Sequence, residues 1–120
     1  QRELATCEVY DPAEEAAGRF PWRTCASLTV GRGGLGLTTV GSTIYAVGGG
    51  WQNFLAYNEQ YDPETNRWSQ FSTPVSGEWR NLALVADDRM LYALGGWDSQ
   101  YLSTVWMYQT VVTIFLPIAP

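Results

Sequence analysis

Short apolar runs separated by turn residues recur along the chain. Gly36-Leu37-Thr38-Thr39-Val40 is followed by Gly41-Ser42 and then by Thr43-Ile44-Tyr45-Ala46-Val47. Asn81-Leu82-Ala83-Leu84-Val85, Asp87-Asp88-Arg89 and Met90-Leu91-Tyr92-Ala93-Leu94 repeat that order. Apolar side chains occupy both alternating faces of these runs, the pattern of a strand covered on both sides. Residues 7–10, 56–61 and 104–108 read as further strands, and the strands that follow them contain Trp22, Trp68 and Phe115. Asp-Pro after Tyr10 and after Tyr61 starts a turn, because Asp caps backbone N–H groups and Pro presets φ. No segment carries sustained helical periodicity, although residues 13–17 have room for one helical turn. The pattern predicts an all-β chain of four-stranded units.

The units repeat. Ile44-Tyr45-Ala46-Val47-Gly48-Gly49 returns 47 residues later as Leu91-Tyr92-Ala93-Leu94-Gly95-Gly96, and the same offset relates Leu55 to Leu102, Tyr61 to Tyr108 and Trp68 to Phe115. The N-terminal part joins the register with an insertion. Tyr10-Asp11-Pro12 matches Tyr61-Asp62-Pro63, but Trp22 follows its Tyr by twelve residues where Trp68 follows by seven. The extra residues fall within 13–21 and read as a lengthened hairpin loop.

A glycine pair after a Tyr-bearing apolar strand, then Tyr-Asp-Pro, then Trp, resembles the kelch repeat. The resemblance implies an all-β fold: a kelch-type β-propeller segment of four-stranded antiparallel blades forming an incomplete ring. In family order, residues 1–30 supply the third and fourth strands of a half-blade. Residues 31–76 form a complete blade, and 77–120 a complete but degenerate one, in which Gln109-Thr110 stands for Asp-Pro and Phe115 for Trp. The structural repeat positions are Tyr10, Trp22, Tyr45, Gly48, Gly49, Tyr61, Trp68, Tyr92, Gly95, Gly96, Tyr108 and Phe115. Glycine there permits positive φ and close backbone approach, and the large rings fill the wedges between blades. Trp106, in mid-strand, is expected in the core.

Charge narrows the function. The formal charge is −5, and the basic residues are all Arg, with no Lys and no His. Such a chain is a poor counterion-replacing surface for nucleic acid and for an anionic membrane. The apolar stretch from Val111 to Pro120 is interrupted by Thr113 and Pro117 and falls short of the about 20 residues that a membrane-spanning helix needs. Without His, neither a Ser-His-Asp nor a Cys-His arrangement can be written, and zinc, copper or non-haem iron lack their usual ligands. No catalytic residue, metal or cofactor is therefore expected. Glu14-Glu15 and Asp87-Asp88 are adjacent carboxylates in loops and read as solvated turn residues rather than a glycosidase pair. Gly31-Arg32-Gly33-Gly34 and Gly48-Gly49-Gly50 lack the lysine and the following helix of a phosphate loop.

The kelch resemblance also implies that loops joining second to third strands, and those entering first strands, share one ligand-binding face. Here they carry Arg32, Trp51, Gln52, Asn53, Trp79, Arg80, Trp97 and Asp98. Trp and Arg are enriched at binding hot spots, and the competing reading is that these side chains pack against neighbouring blades. Cys7 and Cys25 lie on consecutive strands of one hairpin, where a cross-strand disulfide fits; two reduced thiols are the alternative. A bridge favours a secreted or cell-surface protein. The expected function is a non-catalytic module for protein or glycan binding or scaffolding outside the cell. The alternatives are a self-assembling subunit of an extracellular fibre or ring, and part of a larger propeller enzyme with its catalytic residues elsewhere. The expected partners are further blades in a longer parent chain or other copies of this one, since closed propellers have about four to eight blades.

Overall fold

The computed structural model describes residues 2–111 and 117–118. It contains strands β1 (Cys7–Tyr10), β2 (Trp22–Cys25), β3 (Gly36–Val40), β4 (Thr43–Val47), β5 (Asn58–Asp62), β6 (Arg67–Phe71), β7 (Ala83–Asp87), β8 (Met90–Leu94) and β9 (Val105–Gln109), with one short helix, α1 (Pro12–Ala16). The sheets run β1-β2, then β3-β4-β5-β6, then β7-β8-β9, and every neighbouring pair is antiparallel. This is a half-blade, a full blade and three strands of another. The predicted fourth strand of the last blade, with Phe115, lies outside the described residues.

Strands β1, β3, β4 and β8 have the bounds read from the sequence. β7 begins at Ala83 rather than Asn81. Asn81 has a φ of 58° and donates its N–H to Gly34 O at 2.7 Å, so it belongs to the link between blades. β5 begins at Asn58 rather than at residue 56. The insertion after Tyr10 forms α1, because the Asp11 side chain accepts from Ala13 N at 2.9 Å and Pro12 occupies the first turn. After Tyr61 the same Asp-Pro pair makes only a turn, closed by Glu64 N donating to Asp62 Oδ1 at 2.9 Å.

The repeat is visible in the registers. Tyr10 pairs with Trp22 and Tyr61 with Trp68, with ring centroids 5.2 and 4.9 Å apart. Cys7 pairs with Cys25 and the two form a disulfide with a Cα–Cα distance of 5.1 Å. The equivalent pair in the next blade is Asn58 and Phe71. Buried Asn58 accepts from Gly48 N at 3.0 Å and donates to Ser72 O at 3.2 Å.

The core lies between the second and third sheets, where Val47, Trp79, Leu82 and Ala93 cluster with Phe71, Val75, Leu84 and Leu102. β3 packs directly against β7. A Cβ on Gly36 would come within 2.7 Å of Leu84 Cβ, so glycine sets this spacing. Gly48 has a φ of 69°, and a Cβ there would meet Trp79 O at 2.6 Å. Burial pushes the Tyr45 phenol above its ordinary pKa.

The half-blade is stitched to the full blade. Asn66 Oδ1 accepts from Ala26 N at 2.8 Å and from Tyr61 Oη at 2.7 Å, while Trp68 Nε1 donates to Ala26 O at 2.6 Å. The radius of gyration is 16.7 Å, against about 14 Å for a compact chain of this length. The molecule is a flat arc of 54 × 52 × 22 Å. Trp106 is 42% exposed, contrary to the core position expected for it. Its neighbours Val105 and Met107 are exposed too, because no blade among the described residues covers β9.

Candidate functional site: the loop face

Three connections converge at one end of the blades. The β4–β5 loop carries Trp51, the β6–β7 connection carries Trp79 and Arg80, and the β8–β9 loop carries Trp97, Asp98 and Tyr101. Arg80 N donates to Trp97 O at 3.0 Å and Trp97 N donates to Arg80 O at 2.8 Å, which fixes these residues side by side. The Arg80 guanidinium carbon lies 4.0 Å from the Trp51 ring centroid and 5.9 Å from that of Trp97. Both are cation–π distances. Glu78 adds an ion pair to Arg80 at 3.5 Å. Trp97 meets Tyr101 edge to face at 5.1 Å, and Tyr101 is 89% exposed.

Asp98 Oδ1 is buried beside this cluster with no hydrogen-bond partner among the described residues. A buried acceptor without a donor costs about 1–3 kcal/mol, so the position favours an incoming donor. Gln52 and Asn53 are exposed, and their backbone N–H groups are taken by the Glu3 carboxylate.

Two sequence candidates do not belong to this surface. Arg32 is 3% exposed. Its Nε donates to Glu59 Oε2 at 2.9 Å, Nη1 to Gly48 O at 2.9 Å and Nη2 to Tyr57 O at 2.8 Å. Glu59 Oε1 in turn accepts from Thr29 N and Thr29 Oγ1, both at 2.8 Å. Arg32 is thus a buried brace rather than a ligand contact. Trp79 is equally internal: its ring fills the core and its Nε1 donates to Gly95 O at 3.0 Å. The structure therefore groups Trp51, Arg80, Trp97 and Asp98, and withdraws Arg32 and Trp79. Sequence reasoning missed Tyr101, Glu3 and Glu59. The signal for Glu59 was a carboxylate in mid-strand, where a charge needs a partner.

Among the described residues no group of three His, Cys, Asp or Glu side chains is placed to hold a metal ion. No helix among them is long and apolar enough to cross a membrane.

Comparison with known proteins bears on the repeat itself. The Kelch motif matches residues 31–75 and 78–112. The chain belongs to the kelch family. The two matched kelch segments contain the second and third sheets. Kelch-like protein 7 of Rattus norvegicus is 37% identical over 102 residues, covering 81% of this chain and 16% of that protein. Kelch-like protein 40 of Xenopus laevis is 34% identical over 89 residues, covering 73% and 14%. The kelch segment thus spans about a sixth of the curated relatives it matches. The solved structure of YjhT superposes with a TM-score of 0.54 at 20% identity, over 62% of this chain and 24% of that one. At that identity the likeness speaks to the fold alone, a partial kelch propeller.

Proposed function

We propose that this chain is a non-catalytic segment of a kelch propeller whose loop face binds another protein. The observation that carries the reading is Arg80, held between Trp51 and Trp97 on three separate loops of a rigid scaffold. Exposed Tyr101 and the orphaned Asp98 acceptor extend that surface. The test is affinity capture with the wild-type chain, followed by quantification of the retained partner with variants. Arg80→Ala and Trp97→Ala are expected to lose it, and Arg23→Ala, on distant β2, to keep it. Equal retention by all of them overturns the reading. A glycan as the ligand is the other outcome of a matched array experiment. The Cys7–Cys25 bridge supports a location outside the reducing cytosol, and cell fractionation checks it: reduced, cytosolic protein contradicts it.

A second reading concerns partners. Between the half-blade and β3–β6 lies a cleft of about 550 Å³ lined by Leu28, Leu35, Leu37, Ile44 and Trp68. On β9, Val105, Trp106 and Met107 are exposed. The cleft beside the half-blade and the exposed face of β9 both present apolar surface of the kind that further strands cover, from a longer parent chain or from other copies. Light scattering on the 120-residue chain tests this: association above 13.4 kDa is expected, and a folded, non-associating monomer contradicts it.

A further inference from the structure

The carboxylate of Glu3 is bound as though it were a ligand. Oε1 accepts from Trp51 N, from Gln52 N at 2.6 Å and from Asn53 N at 3.3 Å. Oε2 accepts from Asn53 N at 3.2 Å and from Asn53 Nδ2. Consecutive main-chain N–H groups converging on one oxygen form an anion-binding concavity. Together with the side-chain amide they saturate a carboxylate, which offers about four acceptor positions. Among the described residues Glu3 makes no ion pair, so neutral N–H dipoles of the main chain and of the Asn53 amide hold its charge. Glycine makes room for it: a Cβ on Gly31 would crowd Glu3 O at 3.1 Å and Glu3 Cβ at 3.3 Å. The receiving loop also carries Trp51, whose ring lies on Arg80. The concavity therefore borders the proposed recognition surface.

We propose that the N–H groups of Trp51, Gln52 and Asn53, with the Asn53 side-chain amide, form a carboxylate receptor. Glu3 fills it in cis, and an acidic group of a bound protein fills it when residue 3 withdraws. The location of that protein rests on the loop-face reading; the receptor itself does not. Glu3 is held by a segment that belongs to no strand, tied by the single bridge of Leu4 to Arg32 and by Leu28 N donating to Ala5 O at 2.9 Å. The four donors belong to the loop, so an exchange of occupants leaves them in place.

Chemical rescue tests the receptor without any protein partner. In the 120-residue chain, Glu3→Ala is expected to shift the amide NMR resonances of Trp51, Gln52 and Asn53. Sodium acetate, titrated at constant ionic strength against sodium chloride, is expected to return them saturably toward their wild-type positions. The wild-type chain, already occupied, is expected not to respond. Should Glu3→Ala fail to fold, Glu3→Gln takes its place: acetate then displaces a neutral occupant and moves the same resonances. Acetate acting no differently from chloride overturns the receptor, as does inorganic phosphate rescuing as well as acetate, which would make it a general anion site. Either failure leaves the loop-face reading standing, because that reading is decided by Arg80 and Trp97 variants and a protein partner.

Discussion

Arg32 and Glu59 form an ion pair with neither side chain exposed, linking the start of the full blade to its third strand. Removing one partner of such a pair leaves a buried charge unmatched and costs about 3–5 kcal/mol. Arg32→Ala is expected to lower the denaturant midpoint by a corresponding amount, and Glu59→Gln comparably, since an amide whose oxygen accepts from Thr29 turns its NH2 toward the Arg32 guanidinium. A small, equal shift for both would show that solvent reaches the pair.

Trp68 and Trp51 are expected to differ sharply on truncation to Ala. Trp68 stacks with Tyr61 and binds Ala26 across the blade boundary. Its loss is expected to cost about 3 kcal/mol. Trp51 sits in a loop and packs chiefly on Arg80. Its loss is expected to cost about 1 kcal/mol or less while weakening partner capture. Thermal melts of the two variants separate these outcomes.

The disulfide closes a loop over a sequence separation of 18. In the chain-entropy account a loop of that order contributes about 3 kcal/mol. Titration of the denatured, unreduced chain is expected to find no free thiol. Cys7→Ser with Cys25→Ser is expected to lower stability by about that amount.

Gly50→Ala and Gly41→Ala test close approach against backbone conformation. A Cβ at position 50 would fall 2.1 Å from Gly77 O, so the backbone must move. At Gly41, with a φ of 59°, the added Cβ meets nothing within 4 Å and brings only left-handed strain, about 1–2 kcal/mol. Gly50→Ala is expected to be the more damaging of the two in urea unfolding.

The blade pattern was legible in the sequence because its carriers are local. Tyr61 and Trp68 lie seven residues apart on one hairpin, and the glycine pairs directly follow their strands. The disulfide followed from the same hairpin logic, and the structure contains it. The face was only half legible. Nothing in the sequence separates Trp79 from Trp51, both aromatic and both outside strands, because blade packing alone decides which turns inward. Arg32 looked like a loop cation until Glu59, 27 positions away, supplied its partner. Trp106 was misplaced for the opposite reason: a strand interior is buried only if a neighbouring blade covers it, and β9 has none among the described residues. Glu3 carried no motif, since main-chain N–H groups leave no mark in a sequence.

The stitching at Ala26 makes the N-terminal hairpin a dependent of its neighbour. β1 and β2 contribute no residue to the buried cluster; what orders them is a turn asparagine and an indole that belong to the next blade. With such nearest-neighbour coupling, a piece that borrows its order from a neighbour frays before that neighbour does. The Cys7–Cys25 bridge changes what fraying means here. A hairpin that lets go of Asn66 and Trp68 does not lose its own register, because its two strands stay covalently clasped. Release from the neighbouring blade then involves one preformed body, an undocking rather than a melting.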